Sequence, residues 1–187
     1  MNLIHNRICA SKRWAGHVRK DLFPVVLKDV DLGDDVLELG PGMGVTTREL
    51  AGRVPRLTAL EVEEEYAGRL RRELAPGVTI VHGDASAMPF ADASFTAVVC
   101  FTMLHHVPAA ELQDRLFAET RRVLRPGGVF AGSDSRVSLG FRLIHLGDTM
   151  VPIDPDTLPA RLEAAGLTDV RVVVAPGRVH FTARRPA

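Results

Sequence analysis

The sequence is short of the features that mark several common protein classes. Its 187 residues hold two cysteines, Cys9 and Cys100, too few for a disulfide framework or a cysteine metal cage. Neither sign of charge is in excess: 23 Lys and Arg face 23 Asp and Glu, so no general attraction to nucleic acid or an anionic membrane is indicated. No apolar run approaches the ~20 residues that span a bilayer. Residues 1–7 lack the basic-then-apolar order of a signal peptide, and a cytoplasmic location is the expectation. Internal repeats and low-complexity tracts are also missing.

What is present suits one domain with a single sizeable core, with residues 1–187 forming that domain and residues 1–30 a helical lid at its start. Ser11 is placed to cap a helix that carries Trp14, Val18, Leu22 and Val25 at spacings of three and four, with a kink expected at Pro24. Five strand-like segments then alternate with helices. The strands are 36–39, 56–60, 78–81, 95–101 and 129–133; the helices begin at Val45, Glu63 and Ala109. Such alternation predicts an α/β fold, a mostly parallel sheet covered on both faces. Past Ser135 the pattern loosens: a helix over 141–146, another over 156–165 that Gly166 stops, and strands 170–174 and 179–183. The four residues between those strands read as a hairpin, so the last strand should run antiparallel. Cys100 falls inside a buried strand, where a reduced thiol acts as a small hydrophobe.

The organising stretch is Asp35 to Gly44. Val36, Leu37 and Leu39 make a buried strand, glycines at 40, 42 and 44 break it, and helix resumes at Val45. A turn of this kind lets a ligand lie against bare backbone and turns free amide N–H groups toward it. In an open α/β sheet the ligand site lies at the carboxyl ends of the strands. Glu61 ends the second strand, 21 residues beyond Gly40, where a carboxylate accepts hydrogen bonds from a ribose diol. A dinucleotide fold wants G-x-G-x-x-G, but the third glycine position is Val45; the sequence instead reads E-x-G-x-G-x-G from Glu38.

These residues, with "VLELGPGMG" at 36–44, "LTALEVEEEYAGRLR" at 57–71, "VHGDASAMPFADASFTAVVCFTMLHHV" at 81–107 and "RVLRPGGVFAGSD" at 122–134, resemble the class I S-adenosylmethionine-dependent methyltransferases. The resemblance implies a Rossmann-like three-layer sandwich whose seven strands lie in the order 3-2-1-4-5-7-6. It also implies S-adenosyl-L-methionine as cofactor and S-adenosyl-L-homocysteine as its product. The loop Gly40, Pro41, Gly42 and Gly44 would pack on the methionine part, and Glu61, with Val62 beside it, would hold the ribose. Asp84, between Gly83 and Ala85, would accept from the adenine amino group, with Met88 near the ring. Backbone at Phe101 and Thr102 would meet the amino-acid end. Thr96 departs from the family's usual aspartate, at the strand end away from the ligand.

Glu38, acidic among buried neighbours, is expected to be ordered near the cofactor's ammonium, because a buried charge needs a partner. His105 and His106 follow the fourth strand at the ligand end and are candidates for a general base, with Asp134 as the group that orients it. His145 and Asp148 stand three apart on a helical stretch; without a third ligand no metal is expected, and substrate contact or surface pairing is the reading. Arg184 and Arg185 read as solvent-facing charge. The N-terminal segment mixes Ile4, Ile8, Trp14 and Val18 with His5, Arg7 and His17, a poor composition for a disordered tail, and it is expected to fold over the ligand edge.

The sequence therefore predicts methyl transfer to a small-molecule oxygen, nitrogen or carbon nucleophile, with neither nucleic acid nor membrane as partner. Three other readings stand beside it. A cofactor-binding pseudoenzyme or regulatory module would keep the same glycines. A nucleic-acid methyltransferase is opposed by the neutral charge, the single tyrosine and the run Cys100-Phe101-Thr102-Met103, where amino-directed DNA enzymes of this fold carry Asn/Asp-Pro-Pro-Tyr/Phe. An NAD oxidoreductase is opposed by Val45.

Overall fold

The structure, a computed structural model, describes residues 7–187. Ile4 and His5 lie outside the described residues. Seven strands form one sheet: β1 Asp35–Leu39, β2 Arg56–Glu61, β3 Thr79–His82, β4 Phe95–Phe101, β5 Leu124–Ser135, β6 Thr168–Ala175 and β7 Arg178–Arg184. Their order is β3-β2-β1-β4-β5-β7-β6. The first five are parallel, and β7 runs antiparallel to both β5 and β6. The expected topology is therefore the observed one.

Alternation along each strand sends side chains to two separate cores. Leu37, Leu39, Val98, Cys100 and Phe130 face one side. They pack against α5 (Ala110–Val123) and α7 (Leu158–Ala164) through Leu116, Phe117, Leu158 and Leu162. Val36, Ala59, Ala97, Val99 and Phe101 face the other. There they meet Val18, Leu22 and Phe23 of the N-terminal helices, Leu50 of α3 (Val45–Ala51), and Ala67 and Leu70 of α4 (Glu64–Leu74). Cys100 is fully buried in the first core. A short α6 (Leu139–Ile144) precedes α7. Among the described residues no helix is long and apolar enough to cross a membrane.

The N-terminal helix begins as expected, with Ser11 Oγ accepting from Trp14 N–H at 3.1 Å. The kink expected at Pro24 takes another form. α1 (Lys12–His17) widens into a π turn at Val18–Leu22 before α2 (Phe23–Val26), which carries Pro24 in its first turn. Proline has no N–H to bond and its ring crowds the carbonyl four residues back, and a widened turn removes both conflicts. The turn also shifts the buried stripe by one residue, so Val26 is buried and Val25 is 57% exposed. Arg185 corrects a second expectation: its Nη1 donates to the carbonyls of Arg121, Arg122 and Leu124, closing the carboxyl end of α5. Arg184 is exposed, as expected.

Thr96, the departure from the family pattern, has a structural role. Its Oγ1 accepts from Asp35 N–H at 3.0 Å and lies 2.6 Å from Leu32 O and 2.9 Å from Asp35 O, as donor to those carbonyls. It thereby ties the entry of β1 to β4, at the edge of the sheet opposite the glycine turn. Thr96→Val should lower stability by about 1–3 kcal/mol, the cost of leaving such groups unpaired. Urea unfolding measures this, while affinity for a ligand at the far edge should not change.

Candidate functional site

The strands β1 and β4 are neighbours, and the chain leaves them toward opposite sides of the sheet. The gap between their carboxyl ends is the topological switch point of the fold, and a cavity of about 340 Å³ opens there. Its floor is the glycine turn. Gly40, Gly42 and Gly44 all have positive φ, at 62°, 52° and 74°, a region that costs other residues strain. Space forbids a side chain as well: a Cβ on Gly40 would stand 3.0 Å from Met103 Cβ, and one on Gly44 would stand 2.4 Å from Leu70 Cδ2.

The turn is held from behind rather than left with free amides. Gly40 N–H donates to Leu60 O, Gly44 N–H to Pro41 O and Gly42 N–H to Glu61 Oε2 at 2.8 Å. The expected row of ligand-directed glycine N–H groups is thus taken up internally, and what the glycines provide is a bare backbone surface. Arg69 Nη2 donates to Gly42 O at 3.0 Å and Arg48 Nη1 donates to Gly44 O at 2.9 Å. Both arginines thereby bind the turn's carbonyls. The Arg69 guanidinium also sits 5.4 Å from the Tyr66 ring centre, linking the turn to another residue of the cavity wall.

Of the cofactor residues read from the sequence, Gly40, Pro41, Gly42, Glu61, Val62, Asp84, Ala85, Phe101 and Thr102 all line the cavity. Four others do not. Gly44 is packed under Leu70, and Gly83 is held by its N–H on Glu61 O. Met88 turns its side chain into the β4–α5 core while its N–H donates to Glu119. Glu38 stands behind Thr46, whose hydroxyl donates to Glu38 Oε1, because period-two alternation puts Glu38 on the Val36 face beneath α3. Sequence reasoning missed Tyr66, Met103 and Thr46, which also line the cavity. Tyr66 was readable in principle as the chain's one tyrosine, one turn into the helix after Glu61. Trp14 and Cys9 reach the wall from the N-terminal segment.

The wall is strongly acidic. Glu61, Glu63, Asp84 and Asp148 border it, and among the described residues that line it there is no lysine or arginine. Glu61 is buried and ordered by two backbone donors, Gly42 N–H and Glu63 N–H, at 2.8 and 3.0 Å. Burial raises the Cys9 thiol to about 11, which keeps it protonated and unreactive. Thr102 has φ 53°, a strained conformation for a β-branched residue. Its N–H donates to Ser133 O at 2.8 Å, so pairing with β5 holds the strained turn at the cavity edge.

The histidines divide. His106 lines the cavity and is half-buried. His105 is buried behind it, with ring centres 4.1 Å apart, and it is His105 that meets Asp134, Nδ1 to Oδ1 at 2.5 Å. Asp134 therefore orients the histidine that does not face the cavity. His145 is not on the surface: it follows the end of α6, is 6% exposed, and places Nε2 3.1 Å from His105 Nε2. Burial lowers its pKa. Asp148, expected on the same helix face, lies beyond the helix in the turn that borders the cavity.

Burial, opposed by the hydroxyls of Thr46 and Thr47 and reinforced by nearby Glu61, raises the Glu38 carboxyl from 4.5 to about 7. Its folded pKa exceeds its unfolded one, so folding is undisturbed by this group below pH 4.5 and loses stability as pH rises toward 7, with the full cost above. That cost is about 3 kcal/mol at ~1.4 kcal/mol per pH unit. In Glu38→Gln this component of the stability–pH curve should vanish, as chemical unfolding at pH 5 and pH 8 would register.

The cavity chemistry fits a cationic nucleoside cofactor. A buried carboxylate ends β2, a second acidic residue follows β3, and the acidic wall suits a sulfonium with its ammonium group. Comparison with known proteins agrees. A methyltransferase-domain family model matches residues 36–128. The sterol 24-C-methyltransferase of Gibberella zeae is 36% identical over 104 residues, covering 52% of this chain and 27% of its own. The ribosomal RNA small subunit methyltransferase A of Bordetella pertussis is 29% identical over 150 residues, covering 71% of this chain and 56% of its own. This chain thus spans about half or less of those two relatives. Phosphoethanolamine N-methyltransferase 2 of Haemonchus contortus, solved with S-adenosyl-L-methionine, superposes with a TM-score of 0.73 at 15% identity, over 95% of this chain and 53% of that one. With the glycine turn, the acidic strand ends and the 3-2-1-4-5-7-6 sheet in place, the chain belongs to the class I S-adenosyl-L-methionine-dependent methyltransferases.

Proposed function

We propose that the chain transfers a methyl group from S-adenosyl-L-methionine to an oxygen, nitrogen or carbon nucleophile of a small molecule. The observation that carries this reading is the composition of the cavity wall: four carboxylates and, among the described lining residues, no lysine or arginine. Such a wall attracts a cationic cofactor and repels a phosphate backbone, which nucleic-acid enzymes engage with basic side chains. Met103, Val107, Pro108 and Leu112 form an apolar section beside His106, suited to an acceptor with apolar surface. Trp14 and Cys9 at the wall support the reading of residues 1–30 as a lid.

The cofactor, when bound, supplies a methyl group made electrophilic by its sulfonium. Holding it falls to Glu61 at the ribose, Asp84 and Ala85 at the base, and the backbone of Gly40, Pro41 and Gly42 with Phe101 and Thr102 at the amino-acid end. Glu38 acts at one remove, through the Thr46 hydroxyl. The protein's contribution to rate is then alignment of the acceptor and exclusion of water, with His106 accepting the proton that a hydroxyl or amine acceptor releases. His105 and Asp134 support that ring from behind as positioning residues.

Two measurements test this. Calorimetry should show S-adenosyl-L-homocysteine binding far more tightly than NAD. Glu61→Ala should weaken it by about 1.5–3 kcal/mol per charge-assisted hydrogen bond removed, while Glu61→Gln, which keeps an acceptor for Gly42, should lose less. Comparable NAD binding would overturn the reading. On the true acceptor, His106→Ala should cut turnover by about 10²–10⁴ while cofactor affinity holds; full turnover would remove His106 from proton transfer.

A further inference from the structure

Three imidazoles meet at the acceptor end of the cavity, and their hydrogen bonds leave a contact that neutral side chains cannot satisfy. Asp134 Oδ2 accepts from the His105 backbone N–H at 3.0 Å and Oδ1 accepts from Ser135 N–H at 2.6 Å. With both oxygens acting as acceptors, His105 Nδ1 is the donor in its 2.5 Å contact with Oδ1. A backbone carbonyl can only accept, so His145 Nδ1 donates to Phe141 O at 2.7 Å. In each neutral ring the other nitrogen, Nε2, then bears a lone pair. Those two Nε2 atoms face each other at 3.1 Å. Lone pairs at that distance repel unless an electropositive centre lies between them.

We infer that His105, His106 and His145 form a binding site for a divalent transition-metal ion, with zinc the best match. Three ligand nitrogens, one from each ring, lie within 4.8 Å of one another. Tetrahedral zinc–nitrogen bonds of about 2.0–2.1 Å hold neighbouring donors about 3.3 Å apart, close to the His105–His145 spacing. His106 completes the set from the cavity wall, where it is half-buried. Both inner ligands already have the outer hydrogen bond that metal-bound histidines use, a carboxylate behind His105 and a backbone carbonyl behind His145. Three imidazoles suit zinc and its neighbours rather than magnesium or calcium, which prefer oxygen. Three protein ligands leave a fourth position, and His106 directs it toward the cavity, as in metal sites that bind water or substrate.

The site does not depend on the methyl-transfer reading; only the use of the ion does. With an ion in place, His106 is a ligand and no longer the proton acceptor it is in the metal-free chain, and an acceptor hydroxyl in the fourth position would lose its proton more readily to water through the ion's charge. No redox change is involved, and the ion is unaltered by the step.

The test is metal uptake by the full chain after treatment with a chelator. Zinc should return at one ion per chain, and Co²⁺ should give the visible absorption of a tetrahedral nitrogen site. His145→Ala and His106→Ala should each weaken uptake by at least about 100-fold, and Asp134→Asn by about 10–100-fold through the outer hydrogen bond. His82→Asn, remote from the cluster, should leave it unchanged. Binding of S-adenosyl-L-homocysteine by each variant checks folding and is read separately from metal uptake, so loss of one inference leaves the other standing. Failure of the wild-type chain to take up zinc or Co²⁺ stoichiometrically would overturn the site and assign the close nitrogens to a shared proton. Uptake unaffected by His145→Ala and His106→Ala would place the metal elsewhere and overturn it equally.

Discussion

The arrangement rests on one constraint of parallel sheets: strands that run the same way must be joined by crossovers, and where the crossovers change sides the sheet opens a gap. Here the change falls between β1 and β4, whose pairing runs from Val36 with Ala97 to Leu39 with Cys100. Most of the site hangs from the carboxyl ends of these strands and their neighbours. The glycine turn leaves β1, Glu61 ends β2, Asp84 follows β3, Thr102 and the histidine pair follow β4, and Asp134 lies near the end of β5. The glycine turn, Glu61, Asp84 and Thr102 with His106 come from four strand ends and share one cavity because hydrogen-bonded register aligns those ends.

Electrostatics then divides the labour around the turn. Carboxylates occupy the inner side, where Glu61 fixes Gly42 and Glu63 through their N–H groups. Arginines occupy the outer side, where Arg48 and Arg69 hold the turn's carbonyls. Held behind the turn, these guanidinium groups stiffen it without lining the cavity. The buried Glu38, which accepts from the Thr46 hydroxyl, is tolerated because burial raises its pKa toward neutrality.

The histidine end follows a different logic, that of polar groups whose tautomers are fixed from outside. Asp134 and Phe141 O hold the outer nitrogens of His105 and His145, and the inner nitrogens face each other at 3.1 Å with a His106 nitrogen within 4.8 Å. Residues at the end of α6 thus complete a cluster begun after β4. The family model ends at residue 128, so Asp134 and His145, which decide the chemistry of this corner, lie in the part of the chain it does not cover.

The order of elements, the sheet and most of the cavity wall were legible along the chain. Apolar alternation, the glycines of 40–44 and the acidic residues at the end of β2 and after β3 are local signals, each readable over a few residues. The sequence also located Ser11 as a cap and Thr96 as an exception. Tertiary structure alone decided what stands in front of what. Period-two alternation put Glu38 behind the wall, the loop after β3 turned Met88 into the core while Asp84 stayed at the cavity, and a π turn absorbed Pro24. Of two adjacent histidines, the short 3-10 turn after β4 gave one to the cavity and the other to Asp134, 29 residues away. His145 read as half of a surface pair, because its partner at 3.1 Å is 40 residues distant in the chain. No local pattern records such a distance; it is set by where α6 packs after the sheet has formed.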